Sequence, residues 1–223
     1  MSRRSFGLVL KTAMLRGLKA LRRSHESESK KAHLEVERKF ALSDLEARNL
    51  PVQLSHLGFQ HTDLVFMTDT FLPVTVEGDM MRIRDETINE ITDCILTRKS
   101  WVEIDGERER KESEEGVDQM TRGCLLELGE RLNGGPLLSF TKERDFYTCL
   151  SDPQFKNVVV TIDSVKGLGQ YSGFYMEIEL LVPVGGDVQS ARQRINQIAT
   201  TVLGKERDCV QLSYQDMLKR ATC

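Results

Sequence analysis

The stretch with the clearest chemical potential in this sequence is Glu35-Val36-Glu37-Arg38-Lys39. In an extended strand, side chains alternate between two faces, so Glu35, Glu37 and Lys39 share one face at a spacing of about 7 Å. Carboxylates this close repel each other unless a cation or a basic neighbour separates them. The spacing is therefore compatible with a metal site, a buried ion network, or the solvated face of an antiparallel sheet.

The same arrangement recurs in other predicted strands. About eight strands are predicted, and about six of them place ionisable side chains at i and i+2 on one face, with mostly apolar residues on the other. The basic residues on these faces are Lys39, Arg82, Arg84, Lys99, Lys142 and Arg144. The acidic residues are Glu35, Glu37, Asp163, Glu177 and Glu179.

Strand positions follow from alternating or β-branched runs that turn signals separate. The predicted strands cover residues 35–40, 63–72, 80–85, 93–99, 107–112, 139–150, 158–163 and 175–182. The strand at 107–112 consists only of charged residues, so its pattern does not show which face is buried.

Helices are predicted between and after these strands. Ser43 or Asp44 caps a short helix to about Asn49, and Pro51 is expected to interrupt or restart it. A helix expected to face the core carries the stripe Val117, Met120, Cys124 and Leu128. A second apolar stripe consists of Val188, Ala191, Ile195, Ile198 and Val202, and it stops at Gly204. A last short helix is predicted over residues 213–220.

The apolar strand faces must pack on something, and helices with apolar stripes are available. Closing the sheet gives an α+β fold, an eight-stranded antiparallel β-barrel or tunnel with charges inside and helices outside. A charged lumen is costly to desolvate unless water and a polyvalent ligand occupy it. Arginine and lysine suit a chain of phosphates, and the carboxylates suit Mg²⁺ or Mn²⁺ beside it. The sequence lacks the G-x-x-x-x-G-K-[ST] motif of P-loop enzymes.

Composition limits the other possible functions. A formal net charge of −3 provides no basic field for nucleic acid, which is not an expected partner. The five cysteines are scattered without a C-x-x-C pair, which favours reduced thiols in an intracellular compartment. No apolar run approaches the ~18 residues that span a bilayer. We expect a soluble monomer without a transmembrane segment.

Residues 1–25 are basic and contain no Asp or Glu. Their apolar residues at helical spacing are Phe6, Leu10, Met14, Leu18 and Leu21. Such a segment resembles a mitochondrial transit peptide, and the alternatives are a basic tail or a membrane-surface helix. The protein is accordingly expected in the cytoplasm or, alternatively, in mitochondria. A polar linker is predicted to end at residue 32, and the domain is predicted to span residues 33–223.

The charged motifs, taken in order, resemble those of the CYTH or triphosphate tunnel metalloenzyme superfamily. They are Glu35-Val36-Glu37-Arg38-Lys39 (E-x-E-x-K), Arg82-Ile83-Arg84, Leu96-Thr97-Arg98-Lys99, Glu109-Arg110-Lys111-Glu112, Lys142-Glu143-Arg144, and Asp163 with Gly173-Phe174-Tyr175-Met176-Glu177-Ile178-Glu179. The resemblance covers about residues 33–220, and it is strongest to animal thiamine triphosphatases. It implies an eight-stranded antiparallel tunnel that hydrolyses the terminal phosphate of a triphosphate with Mg²⁺.

The resemblance also implies roles for individual residues. The metal would be bound by Glu35, Glu37, Asp163, Glu177 and Glu179. The triphosphate would be held by Lys39, Arg82, Arg84, Lys99 and Arg144, and Lys142 matches the broader superfamily. Glu112 would lie on the lumen face of its strand. The group that activates the attacking water is not assigned.

Two positions depart from the thiamine triphosphatase pattern. Met80 stands where those enzymes have a tryptophan that stacks on thiamine, and a thioether lacks the π-face that favours cationic rings. Trp101 either replaces that tryptophan or caps the barrel end. A lysine shortly before the tyrosine of the C-terminal helix, here Tyr214, is also missing. Three functions therefore stay open: thiamine triphosphatase, inorganic tripolyphosphatase, and a non-catalytic polyphosphate-binding module. A cyclase or RNA triphosphatase is disfavoured because no base-reading surface is evident.

Overall fold

The computed structural model describes the backbone of residues 33–75, 79–104, 107–150, 152, 155, 157–183 and 186–222, and their side chains except those of residues 33, 34, 101–104 and 107–111. The basic N-terminal segment lies outside the described residues, so its helix, its targeting role and the domain boundary stay predictions.

Eight strands form one sheet. They are β1 (His33–Leu42), β2 (Gln60–Leu72), β3 (Met80–Ile88), β4 (Ile91–Ile104), β5 (Glu107–Val117), β6 (Ser139–Thr148), β7 (Val158–Lys166) and β8 (Gly173–Pro183). Their order is β1-β8-β7-β6-β2-β3-β4-β5, and the pairs from β8 to β5 are antiparallel. The predicted eight-stranded antiparallel sheet is confirmed.

The sheet is curled around an interior. β1 and β5 stand at opposite ends of the strand order, yet the side chains of Glu35 on β1 and Glu112 on β5 share a hydrogen bond. The outermost strands of a flat sheet of this width would lie roughly 30 Å apart at the usual strand spacing. The two end strands must therefore turn toward each other.

Helices flank this sheet, as predicted. They are α1 (Asp44–His56), α2 (Gln119–Asn133), α3 (Val188–Leu203) and α4 (Tyr214–Thr222), with a 3-10 helix at Gly169–Tyr171. α1 and α3 contact each other and β8. The stripe on α3 packs on the sheet as predicted, with Val188 partly buried and the other four residues buried. Ile195 and Ile198 belong to the same cluster as the outward-facing Val160 and Ile178. Among the described residues, no helix is long and apolar enough to cross a membrane.

The predicted interruption of the first helix is wrong, because α1 continues through Pro51. Ser43 caps the helix by accepting a hydrogen bond from the Glu46 amide, and the Glu46 carboxylate accepts one from the Ser43 amide. Leu50 and Leu54 flank the proline and are fully buried. Their burial outweighs the one backbone hydrogen bond that proline cannot donate.

The predicted core-facing stripe of α2 is also wrong. Met120 is 78% exposed and Leu128 is 54% exposed, whereas Leu125 packs on the outward face of β2–β4. The reason is Gly129, the buried residue of this helix. A Cβ atom there would lie 2.9 Å from the end of the Leu72 side chain, so the glycine lets the helix approach Leu72 without a shift of that side chain.

Apolar side chains fill one end of the interior and are called here the apolar end cluster. It consists of Phe71, Met80, Phe140, Val165, Leu168, Tyr175, Tyr214, Met217 and Leu218. α4 supplies the last three of these. Ser213 starts that helix by donating its hydroxyl proton to Asp216 and accepting from the Asp216 amide. Helix α4 thus places Tyr214, which is 7% exposed, at the edge of the charged interior.

Candidate functional site

Charged side chains from neighbouring strands meet in the interior of the sheet. The alternation predicted from the sequence places acids and bases on the same face, and the register sets them opposite each other. Cross-strand partners are Asp69 and Arg84, Lys99 and Glu112, and Arg144 and Asp163. Because these pairs lie side by side, each base has a fixed carboxylate partner before any ligand binds.

Asp69 on β2 orients the two arginines of β3. The Arg84 Nε and Nη2 atoms donate to its carboxylate at 2.6 and 2.9 Å, and Arg82 Nη1 donates at 3.1 Å. Burial alone would raise the pKa of Asp69, but Arg82 and Arg84 hold it far below its usual value. Sequence reasoning did not select Asp69 as a site residue. The sequence feature that distinguishes Asp69 is that it is one acid on a strand face otherwise formed by Val65, Met67 and Phe71.

Arg144 on β6 is the centre of a second ion network. Its Nε and Nη2 atoms donate to the two oxygens of Asp163 at 2.6 and 2.5 Å, and Nη2 also donates to Glu177. Lys39 lies 3.4 Å from Glu177, and Lys142 lies 3.6 Å from Asp163. Burial opposes ionisation of Glu177, yet Arg144 and Lys39 hold its pKa well below the usual value. Glu177 is therefore ionised beside the Arg144 guanidinium in a largely dry space.

Glu112 connects the bases of β3 and β4. Its carboxylate lies 2.5 Å from Lys99 Nζ and 3.8 Å from Arg82 Nη2, and it shares a hydrogen bond with Glu35. The structure thus places Glu112 on the interior face of β5. The charge pattern of this strand alone could not determine which of its faces points to the interior.

Lys142 is an interior base whose charge changes near neutral pH. Burial disfavours its ammonium form, and the neighbouring Arg144 adds to this effect, although Asp163 opposes it. The pKa of Lys142 falls to about 7. Below this pH the side chain is an ammonium ion, and above it the side chain is a neutral amine.

This titration predicts a fall in the binding of a polyanion as the pH rises. We expect kcat/KM for a triphosphate to decrease between about pH 6 and pH 8.5 at saturating metal, because kcat/KM reports groups of the free enzyme. Steady-state rates across this range measure the effect. In Lys142→Arg the charge persists at every pH, so the decrease should disappear. An unchanged decrease in Lys142→Arg would assign it to another group.

Carboxylates crowd around Glu35 on β1. Burial and the neighbouring Glu179 raise the pKa of Glu35 to about 9, and Glu112 and Glu37 add to the shift, while Lys99 opposes it. A divalent cation would relieve this repulsion, and oxygen donors of this type suit a hard cation. The donor set of Glu35, Glu37 and Glu179 thus fits the predicted metal.

Asp163 and Glu177 were predicted as metal ligands too, but here their carboxylates accept hydrogen bonds from Arg144. Within the ranges that the structure describes, no group of three or more His, Cys, Asp or Glu side chains is arranged to hold a metal ion. A cation bound at the Glu35 carboxylates would therefore require these side chains to move toward it.

Two buried polar atoms on the interior face lack hydrogen-bond partners among the described residues. They are the Nε atom of Arg82 and the hydroxyl oxygen of Thr161. Thr161 and Asp163 lie on the same face of β7, since they are two residues apart. A buried unsatisfied donor is costly, so this interior is suited to a ligand that supplies oxygen acceptors.

Met80 and Trp101 have different positions in relation to this interior. Met80 lies on the same face of β3 as Arg82 and Arg84, is 5% exposed, and belongs to the apolar end cluster. Trp101 lies on β4, but its side chain is outside the described residues. An apolar surface next to the bases is therefore formed by Met80.

Tyr214 was noted in the sequence only as a reference point for a missing lysine, and it proves to be an interior residue. Its hydroxyl donates to Asp163 at 2.8 Å. The Lys39 ammonium nitrogen lies 3.5 Å from the centre of its ring, and that of Lys142 lies 5.2 Å away. Sequence periodicity could not reveal this contact, because it joins the last helix to β1 and β7.

Comparison with known structures places this geometry in context. A protein of Pyrococcus horikoshii OT3, PH1819, is 25% identical, with a TM-score of 0.63 over 83% of this chain and 98% of that chain. HpAC1 from Hippeastrum, a proposed adenylyl cyclase reported to have a dominant triphosphatase activity, is 18% identical, with a TM-score of 0.56 over 84% of this chain and 95% of that chain. A search of curated protein sequences gave no significant match.

The comparison with protein families identifies the fold family directly. The CYTH domain model matches residues 33–214, which include every charged interior residue described above. The chain therefore belongs to the CYTH domain family.

Proposed function

We propose that this protein hydrolyses the terminal phosphate of a triphosphate and that the reaction needs a divalent cation, Mg²⁺ with Mn²⁺ as the alternative. The observation that carries this proposal is the buried cluster of interior bases, in which the Arg82 Nε donor has no acceptor among the described residues. CYTH family membership supports it, since that family includes triphosphate tunnel enzymes. Thiamine triphosphate is the proposed substrate, and inorganic tripolyphosphate is the second candidate.

The bases would bind and orient the phosphate chain. Arg84 and Arg144 offer planar guanidinium groups that can donate to two oxygens at once, while Lys39 and Lys142 contribute point charges. Asp69 and Asp163 hold the two guanidinium groups in fixed orientations through their bidentate contacts. Charges fixed in this way do not have to reorganise as charge shifts in the transition state.

Hydrolysis would then require a water molecule in line with the terminal phosphorus. Its oxygen forms the new P–O bond as the bond to the bridging oxygen breaks, which releases phosphate and leaves a diphosphate. Glu35, Glu37 and Glu179 would hold the divalent cation, which neutralises phosphate charge when it is bound. Positioning and charge neutralisation are the protein's contribution.

Two residues bear on the choice between the candidate substrates. Met80 presents a polarizable thioether next to Arg82, and such a group can pack against an aromatic cation. It lacks the π-face of an aromatic residue, which reduces the preference for a cationic ring. Substrate preference is therefore tested at Met80, and at Trp101 as the second candidate from the sequence, whereas the phosphate contacts are shared by both candidate substrates.

Phosphate release by the purified full-length chain tests the proposal. Thiamine triphosphate, tripolyphosphate and ATP should be compared with Mg²⁺ and then with EDTA, and Arg84→Ala controls for a contaminating phosphatase. We expect metal-dependent release that is highest with thiamine triphosphate. Higher turnover of tripolyphosphate would mean that only phosphates are recognised. Metal-dependent binding without release of phosphate would contradict the enzymatic function and favour a polyphosphate-binding module.

The substitution Arg84→Ala is expected to raise KM by about 10- to 100-fold for every triphosphate alike. The reason is that Arg84 would contact the phosphate chain, which all the substrates share, and a charge-assisted contact in a buried site contributes this much. Steady-state kinetics on the three substrates measure it. Arg98→Ala is the matched control, because Arg98 has 59% side-chain exposure and pairs with Asp79. Unchanged kinetics in Arg84→Ala would contradict the phosphate-binding interior.

The substitution Glu37→Gln is expected to raise the Mg²⁺ concentration for half-maximal rate by at least about 10-fold, since it removes a carboxylate ligand. Titration with Mg²⁺ measures this shift. The melting temperature should stay within about 2 °C of wild type or increase, because crowding of like charges is relieved. Glu115→Gln, an exposed position on β5, should leave the titration unchanged. A normal Mg²⁺ titration in Glu37→Gln would remove Glu37 from the metal site.

A further inference from the structure

The C-terminal helix α4 places an aromatic ring under the first lysine of the charged interior. Tyr214 is the first residue of α4, and Lys39 is the lysine of the E-x-E-x-K motif on β1. The Lys39 ammonium nitrogen lies 3.5 Å from the centre of the Tyr214 ring. At this distance the cation is in contact with the π-face, where a desolvated cation–π interaction is strongest.

The position of the ring is fixed by its surroundings. Phe140 contacts it with ring centres 5.4 Å apart, and Tyr175 contacts it edge-on at 5.5 Å. The hydroxyl donates to Asp163 at 2.8 Å. A ring held on two sides and at its tip has little freedom to move, so it can act as a rigid support for the ammonium ion.

The partners of Lys39 show why a support is needed. Its acidic neighbour is Glu177, at 3.4 Å, but the Glu177 carboxylate also accepts a hydrogen bond from Arg144. A lysine has a long flexible stem with several rotatable bonds, so a carboxylate that it shares with Arg144 defines its position poorly. The ring of Tyr214 supplies a second contact for the same ammonium group.

We infer that Tyr214 is a positioning residue, whose ring holds the Lys39 ammonium ion in place for the phosphate chain while its hydroxyl fixes Asp163 and, through it, Arg144. This inference rests on the proposed function. It assigns two separate tasks to one side chain, and the task of the hydroxyl can be removed while the ring stays. Burial and Asp163 raise the pKa of the Tyr214 hydroxyl well above its usual value, so the phenol keeps its proton and acts as a donor.

The two tasks can be separated by substitution. Tyr214→Phe keeps the ring and removes the donor to Asp163, and it should lower kcat/KM by less than about 3-fold, in keeping with the loss of a modest hydrogen bond. Tyr214→Leu removes both, and it should lower kcat/KM by about 30-fold, the factor expected for a desolvated cation–π contact. Tyr214→Met replaces Tyr214→Leu if the latter does not fold.

A double-mutant cycle distinguishes positioning from a purely structural role. If Tyr214 acts through Lys39, then Tyr214→Leu in a Lys39→Met background should cost less than about 3-fold in kcat/KM, because there is no ammonium ion left to position. If Tyr214 only packs, the penalty should be the same in both backgrounds. Leu218→Ala is the control for a loosened helix, since Leu218 is buried in the apolar end cluster on α4. It should lower the melting temperature without reproducing the loss in kcat/KM.

The outcomes separate this inference from the proposed function. An inactive wild-type protein overturns the triphosphatase, and the same cycle is then read from the Kd of Mg²⁺–tripolyphosphate by calorimetry. A Tyr214→Leu variant with wild-type kcat/KM, or one with an equal penalty in the Lys39→Met background, overturns the positioning role and leaves the triphosphatase intact. A coupling of about 10-fold or more between Tyr214 and Lys39 supports it.

Discussion

Replacing Arg144 by lysine is expected to lower kcat/KM for a triphosphate by about 10³-fold or more. Arginines that stabilise the transition state of phosphoryl transfer contribute effects of this size. Lysine keeps the positive charge but cannot reproduce two parallel hydrogen bonds to Asp163 and a further contact to Glu177. Most of the loss should therefore come from the geometry of the network rather than from its net charge.

Steady-state kinetics and thermal unfolding measure the two consequences of this substitution. Asp163 is fully buried and Glu177 is 6% exposed, so both carboxylates would lose their main partner in a dry environment. We expect the free energy of unfolding to decrease by about 3 kcal/mol, which is the lower end of the usual cost of disrupting a buried ion pair. Arg98→Lys, on the outer face of β4, should change neither quantity. A kcat/KM within 10-fold of wild type in Arg144→Lys would show that the paired hydrogen bonds of the Arg144 guanidinium are not required.

Most of the strands were predictable because they separate charged and apolar residues on opposite faces. Lys39, Arg82 and Arg144 follow this rule, since each lies two residues from another charge on the interior face. The rule depends only on backbone geometry, so it needs no knowledge of the partners. It fails for β5, whose residues 107–112 are all charged. There the register with β4, which sets Glu112 opposite Lys99, supplies the missing information.

Helix α2 shows why periodicity alone could not orient a helix. Its sequence contains two apolar surfaces, one with Met120 and Leu128 and another with Leu125, and both have helical spacing. Two contacts with other elements decide between them. Gly129 lets the helix approach Leu72, and Arg122 forms two hydrogen bonds with Asp85 on β3, at 2.7 and 2.6 Å. Neither contact is visible in the local pattern.

The contacts that organise the site were missed for a related reason. Asp69 stood alone among apolar residues, and its role depends on the β2–β3 register that places it opposite Arg84. Tyr214 lies more than 170 positions after Lys39 in the chain, and the two meet only because α4 enters the end of the curled sheet. Sequence spacing identified the charges of the interior, but it could not identify which groups hold them in place.

The role of Asp69 leads to a second large expected effect, this time on stability. Asp69→Asn removes the negative charge between the Arg82 and Arg84 guanidinium groups but keeps nearly the same shape. Two buried cations would then face each other with only the more distant carboxylates of Glu112 and Glu86 to compensate them, at 3.8 and 3.7 Å, and the loss of a close buried partner typically costs about 3–5 kcal/mol. For a chain of this size we expect the melting temperature to fall by about 10 °C. Asp145→Asn is the matched control, because Asp145 is 39% exposed in its pairing with His61 and should cost less than about 1 kcal/mol.

A polyanion should partly repair this variant, because its oxygens can replace the missing carboxylate. Tripolyphosphate is therefore expected to raise the melting temperature of Asp69→Asn by more than it raises that of wild type, whereas Asp145→Asn should respond as wild type does. Thermal unfolding with and without tripolyphosphate, at low ionic strength and without metal, measures the difference. An equal response in wild type and Asp69→Asn would mean that the anion does not reach Arg82 and Arg84. A greater response in Asp69→Asn would place the anion beside Arg82 and Arg84, since only an anion at the position of the missing carboxylate can substitute for Asp69.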